Sequence, residues 1–288
     1  MAASDQAALL ASAEEDMALC TLVGIEGSFS RRLGAQIAIA RDGSTVGSLS
    51  DGCLERQLAS DALAARAAGE GPRVLRYGSG SPIIDFRLPC GGGLDIVIDP
   101  APDRAALRRV VDRLAKREAA SLALPLPADA PSHWLTHRAY MPGLRTLLFG
   151  EGPEYGAFAT LSTGMGTHVE GHGRASAGTS GLALGQVPPG IAADPWTAIL
   201  LLFHDHEWEQ ALLGWAVTTP AFFIGAQGGG PAREERKALL RREGISEERI
   251  ARVRSPIGLI ASARDPEVLA LSVLAEIVGA YEQLHPDR

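Results

Sequence analysis

The sequence predicts an α/β protein in two parts, a mixed α/β N-terminal domain followed by a C-terminal Rossmann-like domain on a parallel sheet. Three observations carry this. From Leu144 onward, short apolar runs alternate with helical stretches, the pattern of parallel strands covered on both faces. The first 120 residues instead place two short strands around an Asp-Gly turn and follow them with two amphipathic helices. Between the two lies a stretch, 121–143, in which Pro125, Pro127, Pro131 and Pro142 are spread without any period. It reads as a linker with room for one added strand. The expected boundaries are 1–120, 121–143 and 144–288.

Residues 5–16 read as a first helix, with Ala7, Leu9, Leu10 and Ala13 as its apolar positions. Met17 to Val23 is an apolar run with β-branched members and reads as a strand. Residues 35–40 and 45–48 form a second and third strand joined through Asp42-Gly43. A helix then begins at Leu54, with Leu58, Ala62 and Ala65 on the same face, and stops at Gly69 and Gly71-Pro72. Strands follow at 73–77 and 94–98. In the helix expected over 103–119, Leu107, Val110, Val111 and Leu114 face inward, while Arg104, Arg108, Arg109 and Arg113 form a solvated face.

In the second half, strands are expected at 146–149, 167–170, 198–203 and 221–224; a turn and a helix follow the first, third and fourth, whereas 171–190 is rich in Gly, Ser and Ala with little periodicity. Ser255-Pro256-Ile257-Gly258-Leu259 reads as a turn, and a last helix spans about 266–283 with Val268, Leu271, Leu274, Ala275 and Val278 apolar.

Composition narrows the function. Hydrophobic residues make up 46% and charged residues 21%, so a packed core is expected; the net charge of -7 argues against a general nucleic-acid or anionic-membrane binder. Three cysteines and no CxxC exclude a disulfide framework, a zinc ribbon and a thioredoxin-type motif. The N-terminus has no basic region and no apolar run approaches a membrane span, which implies a soluble cytoplasmic protein.

Two thiols stand beside glycine at turns. Gly52-Cys53-Leu54-Glu55 opens a helix, and Cys90-Gly91-Gly92-Gly93 leads into a strand. Glycine strips steric cover from the backbone, and a thiol at a helix N-terminus feels the positive end of the dipole, which favours thiolate. The plain alternative is that both are small buried hydrophobes. Gly150-Glu151-Gly152 follows a strand and opens a helix, the setting of a dinucleotide turn, with Glu170 about 20 residues on. The third glycine is Tyr155, or is displaced to Gly156, and Glu151 and Glu154 put negative charge where a pyrophosphate would lie. His204-Asp205-His206-Glu207 ends a strand. It resembles a metal cluster, but reads better as a turn with Asp205 capping the next helix and with His204 and Asp205 in a cleft. Gly225 to Gly230 ends another strand, with Arg233 and Arg236 expected to be exposed.

The ordered set Gly34-Ala35, Asp42-Gly43, Gly47-Ser48, Gly52-Cys53-Leu54-Glu55, Cys90-Gly91-Gly92, His204-Asp205, Ile224-Gly225-Ala226, Pro256-Ile257-Gly258-Leu259 and Ala275-Glu276-Ile277 resembles the XdhC/CoxI family over nearly the whole chain. Those proteins are accessory factors for xanthine dehydrogenase and related molybdenum hydroxylases. The resemblance implies a chaperone rather than an enzyme: a protein that binds molybdenum cofactor (molybdopterin), supports its sulfuration by a cysteine desulfurase, and passes it to the apo-hydroxylase. A homodimer is a further expectation, tied to the scaffold reading below. Carried onto this chain, the cofactor site comprises Cys53, Glu55, Cys90, Gly91 and Gly92, with Gly150, Gly152, His204 and Asp205 as cleft residues of the second domain. Soft thiolate suits molybdenum, and bare glycine amides suit the pterin phosphate. The chain departs from the family pattern at Asp51, Tyr155, Gly173 and Gly229-Gly230-Pro231, so the second domain is expected to keep its fold with an altered ligand. Two other readings stand beside this one: an NAD(P)-dependent oxidoreductase built on Gly150 and Gly152, and a non-catalytic scaffold that docks a hydroxylase.

Overall fold

The computed structural model describes residues 2–50, 52–82, 91–174 and 181–285, with side chains from Gln6 on. Cys90 and Asp51 therefore lie outside the described residues. The chain divides into two compact units, residues 2–142 and 143–284.

The first unit runs α1 (Ala2–Glu14), β1 (Ala18–Glu26), β2 (Gln36–Ile39), β3 (Thr45–Gly47), α2 (Cys53–Ala67), β4 (Arg73–Gly78), β5 (Gly93–Asp99), α3 (Arg104–Ala115), β6 (Ala120–Ala123) and β7 (His137–Tyr140). Its main sheet has the order β3-β2-β1-β5-β4 and is antiparallel throughout. Alternation along the strands sends Cys20, Leu22, Ile37, Ile39, Ile96 and Ile98 to one face, where Leu54, Leu58 and Ala62 of α2 cover them. Fully burying a leucine of this kind contributes about 1.5–3 kcal/mol. On the other face, Leu19 and Ala38 pack with Ala8 and Leu9 of α1, Leu107 and Val110 of α3, and Tyr140.

The expected linker is instead part of this unit. Residues 120–123 and 137–140 pair as β6 and β7, and Leu124, Trp134 and Leu135 pack on Val23 and Val97 of the sheet. The prolines between them shape the connection rather than free it: the Trp134 indole donates to the buried Asp95 carboxylate at 3.1 Å. The arginine face of α3 is solvated as expected at Arg108, Arg109 and Arg113, with Arg104 partly covered. Arg104 donates to the Glu14 carbonyl and Arg108 to the Ala13 carbonyl, closing the C-terminal end of α1.

The second unit runs β8 (Arg145–Gly150), α4 (Pro153–Gly164), β9 (His168–His172), β10 (Thr197–Leu202), a short 3-10 turn (His206–Trp208), α5 (Gln210–Ala216), β11 (Phe223–Ala226), α6 (Gly230–Arg242), α7 (Glu247–Ile250), β12 (Val253–Arg254) and α8 (Pro266–Glu282). Its sheet is parallel, in the order β12-β11-β10-β8-β9. All six residues of β10 are buried, as a strand covered on both faces requires. Helices α5, α6 and α7 cover one face with Leu212, Leu213, Leu240 and Ile250, and α4 packs beside α8. Order reverses between β8 and β10, so the carboxyl ends of these two strands, Gly150 and Leu202, flank the crevice where such sheets take ligands.

Arg236, expected to be exposed, is 4% exposed. Its guanidinium bonds both oxygens of the equally buried Glu209 at 2.7 and 2.9 Å and Ser255 Oγ at 2.9 Å, and reaches the Gln227 carbonyl. Nothing near Arg236 in sequence announces this, because Glu209 sits 27 residues upstream, at the entry to α5. The cluster ties the exits of β10, β11 and β12 together. Removing one member of a buried pair strands the other charge, at about 3–5 kcal/mol. Glu209→Ala is therefore expected to lower the thermal midpoint of the second unit by many degrees, whereas Arg241→Ala, which removes the exposed pair with Glu247, should leave it unmoved. Circular dichroism melts of the two variants make the comparison.

Candidate functional site

The N-terminus of α2 is built by a carboxylate. Gly52, at φ +106°, turns the chain into the helix, a conformation that L side chains rarely adopt. Glycine has no side chain with which to cap, so the work falls to Glu55. Its Oε1 accepts from the amides of Ser50 at 2.5 Å and Leu49 at 3.1 Å, and its Oε2 from the amide of Gly52 at 2.8 Å. This is the returning half of a capping box, extended to two further amides. Burial by itself would raise the Glu55 carboxyl, but the amides of Ser50, of Glu55 itself, of Gly52 and of Leu49 outweigh it and hold the group below its ordinary value.

That clamp fixes Cys53 at the first position of the helix, where it is exposed. Arg56, one turn on, donates to Cys53 Sγ at 3.2 Å. Cys20, by contrast, is fully buried in the sheet, and desolvation pushes its thiol up, so it is inert core.

The far end of α2 locates the near end. Arg66 bonds the Pro100 carbonyl and the Asp16 backbone and side chain, at the exit of β5 and the entry to β1. Cys53, about 20 Å away along the helix, thus lies toward the opposite end of the sheet, where Glu26, Gly78 and Gly93 meet. The Gly91–Gly92 turn feeds that same end. Gly91 is exposed at φ +69°, and no described residue lies within 4 Å of where a Cβ would stand. Gly92 is buried against Gly27, and its carbonyl already accepts from the Ser79 amide at 2.9 Å. Of the two, only Gly91 presents bare main chain. Arg76 anchors this corner, bonding the Ser79 carbonyl, Glu26 and Asp95. A side chain at Gly93 would strike its guanidinium.

In the second unit, Gly150 and Gly152 form the turn at the crevice. At Gly150, φ is +148°, and a Cβ would lie 2.2 Å from the Leu202 carbonyl oxygen, so only glycine lets β8 leave beside β10. The crevice is lined by its own charges. Arg174 pairs with Glu151 at 3.1 Å and Asp205 at 3.5 Å and lies over the Trp208 ring, while His204 Nε2 stands 3.6 Å from Glu154. Asp205 also caps the 3-10 turn by accepting from the Glu207 amide. No group of residues capable of holding a metal ion occurs among the described residues.

The departure at Tyr155 has a structural counterpart. A Cβ on Gly171 would lie 2.2 Å from the Tyr155 hydroxyl, so the glycine that permits close helix–strand approach stands on β9 instead of α4. Glu170 is level with Leu147, two residues short of the carboxyl edge, and pairs with His172. At the edge itself stands Gly173, which offers a ribose no carboxylate. His172 stacks on Phe149 with ring centroids 5.0 Å apart.

The family described as the XdhC Rossmann domain matches residues 132–277, and the XdhC and CoxI family matches residues 10–78. The chain belongs to the XdhC and CoxI family. It is 33% identical over 282 residues to the molybdenum cofactor insertion chaperone PaoD of Escherichia coli, a match covering 93% of this chain and 84% of that protein. It is 26% identical to YqeB of the same organism, an uncharacterised protein of which the match covers 45%. Among solved structures, one titled a xanthine dehydrogenase from Bacillus halodurans has the same fold, with a TM-score of 0.72 at 19% identity, covering 96% of this chain and 95% of that one. No helix among the described residues is long and apolar enough to cross a membrane.

The Glu55 clamp makes a pH-dependent prediction. A carboxyl held low in the folded state contributes stability that is present above its unfolded value and lost as pH falls through its folded one. Glu55→Ala is expected to cost about 1–2 kcal/mol at neutral pH. The cost should shrink below about pH 4.5, as read from denaturant melts across a pH series.

Proposed function

We propose that this protein binds molybdenum cofactor as cargo and delivers it to an apo xanthine dehydrogenase-type hydroxylase, acting as a chaperone without turnover chemistry. The observation that carries this reading is the exposed Cys53 thiol, at a helix start whose preceding amides bond the Glu55 carboxylate, toward an end of the sheet fed by a glycine turn. The donor set fits the cargo. A soft sulfur suits molybdenum, the Arg56 guanidinium beside it suits an anionic group, and the open main chain at Gly91 admits a bulky ligand. Cys90 adjoins that turn and is proposed as the second thiol. The likeness to a chaperone of that name over most of the chain supports the same reading. We assign the second unit to holding the cargo's client or its appended groups rather than to hydride transfer. Its crevice places Glu151, Glu154 and Asp205 around the turn where a pyrophosphate would need donors, and Gly173 supplies no ribose-binding acid.

Cofactor released from a molybdoenzyme, mixed with the purified protein and passed through a desalting column, provides the test. The wild type is expected to retain it and to activate an apo-hydroxylase. Cys53→Ala and Cys90→Ala should each retain at least about tenfold less, corresponding to ~1.4 kcal/mol. Equal retention by both variants would remove the thiols from the mechanism, and no retention by the wild type would end the proposal.

A further inference from the structure

Strand β6 has an open edge. The Leu124 amide donates to the Thr136 carbonyl at 2.9 Å, with Leu122 opposite Arg138 and Ala120 opposite Tyr140. Alternation in an antiparallel pair then turns the main-chain groups of Ser121 and Ala123 away from β7. Both residues are exposed, and among the described residues no hydrogen bond reaches their main chain from that side. Open edges are commonly blunted by a charge or a bulge. Ala120-Ser121-Leu122-Ala123 carries neither. The edge borders a groove of about 570 Å³ that runs between β6 and α3 above β1 and β5. The groove floor is apolar, from Leu19, Val97, Leu107 and Val110. Asp99 interrupts it at the exit of β5, so a carboxylate driven down to the floor would meet like charge. The rim has the opposite sign. Residues 103–118 carry six cationic side chains against three acidic ones, in a chain of net charge -7. Arg109 and Arg113, about one turn apart on α3, line the groove and are exposed. Their partners, Asp103 at 3.9 Å and Glu118 at 3.4 Å, are exposed as well. Pairs so solvated hold little and give way to a better-placed anion.

These three features ask for one kind of occupant. An unpaired edge takes extended chain, an apolar floor takes every second side chain of it, and a basic rim takes carboxylates on the others. We propose that the groove is a docking site for an extended acidic segment of a partner protein, which adds to β6 as a strand with apolar side chains on the floor and carboxylates toward Arg109 and Arg113. A second copy of this chain suits the edge less well, because pairing β6 with its counterpart would crowd two arginine-rich copies of α3 about one axis. Asp99 stands at the exit of β5, away from the end of the sheet toward which Cys53 lies, so docking does not depend on the cofactor reading.

A phage-displayed library of random octapeptides is selected on the full-length protein, and the enriched peptide is then titrated into it by calorimetry. Selection is expected to enrich peptides in which apolar residues alternate with Asp or Glu. Arg109→Glu together with Arg113→Glu should weaken that peptide at least about tenfold. Ala123→Pro removes a donor from the open edge and leaves the β6–β7 ladder intact, and should weaken it to a similar degree. Methylating alternate backbone nitrogens of the peptide should do the same with the protein unaltered, which separates lost pairing from lost folding. Ala106→Trp, in the groove wall, should abolish binding, and Cys53→Ala should leave it unchanged. The proposal is overturned if no peptide is enriched, if the enriched peptides lack acidic residues or alternation, or if the double arginine variant and the methylated peptide bind as before. Equal binding of polyglutamate would overturn it too, by reducing the site to unspecific charge. A dimer in light scattering that Ala123→Pro dissociates, with no peptide enriched, would hand the edge to a second copy and overturn it as well.

Discussion

The Glu55 carboxylate is the constraint on which the presentation of Cys53 depends. A glycine cap gives α2 its sharp entry but leaves the amides of the preceding turn without partners. Glu55 gathers three of them, from Leu49, Ser50 and Gly52. These bonds tie Leu49, Ser50 and Gly52 to the first turn of α2, and the thiol at the helix start stands exposed. Leu54 and Leu58, on the same helix, lock the turn to the sheet from beneath. Anchoring of the helix start and exposure of the sulfur thus come from adjacent residues with opposite fates, Leu54 buried and Cys53 exposed.

The second unit applies the same materials differently. Glycine at 150 is demanded by the Leu202 carbonyl, so the turn keeps its place even though the surrounding charges suit a nucleotide poorly. Arg174 is drawn to Glu151 and Asp205, and Arg236 to Glu209, so two cations near the strand ends already have carboxylate partners. A parallel sheet of this order retains its crevice whether or not the residues lining it favour a dinucleotide. Here the carboxylates lining it, Glu151 and Asp205, are paired with Arg174.

Local chemistry was legible in the sequence. The Asp42-Gly43 hairpin, the helix opening at Cys53 and the strand–turn–helix around Gly150 each follow from residues within one short window, and each is present. What was illegible depends on partners far along the chain. Strands β6 and β7 are four residues each and separated by prolines, so no periodicity marks them, and only their packing on Val23 and Val97 explains them. The burial of Arg236 needs Glu209, and the exchange of a glycine between α4 and β9 needs Tyr155 and Gly171 to be seen together. The groove around Asp99 was hidden for the same reason. Its walls come from four separate segments, one of which read as linker.

Access to one sulfur atom reports on the whole account. Iodoacetamide labelling followed by peptide mass spectrometry should show Cys53 alkylated readily in the empty protein, Cys20 untouched, and Cys53 shielded once molybdenum cofactor is bound. Labelling of Cys53 at an undiminished rate in the loaded protein would contradict it.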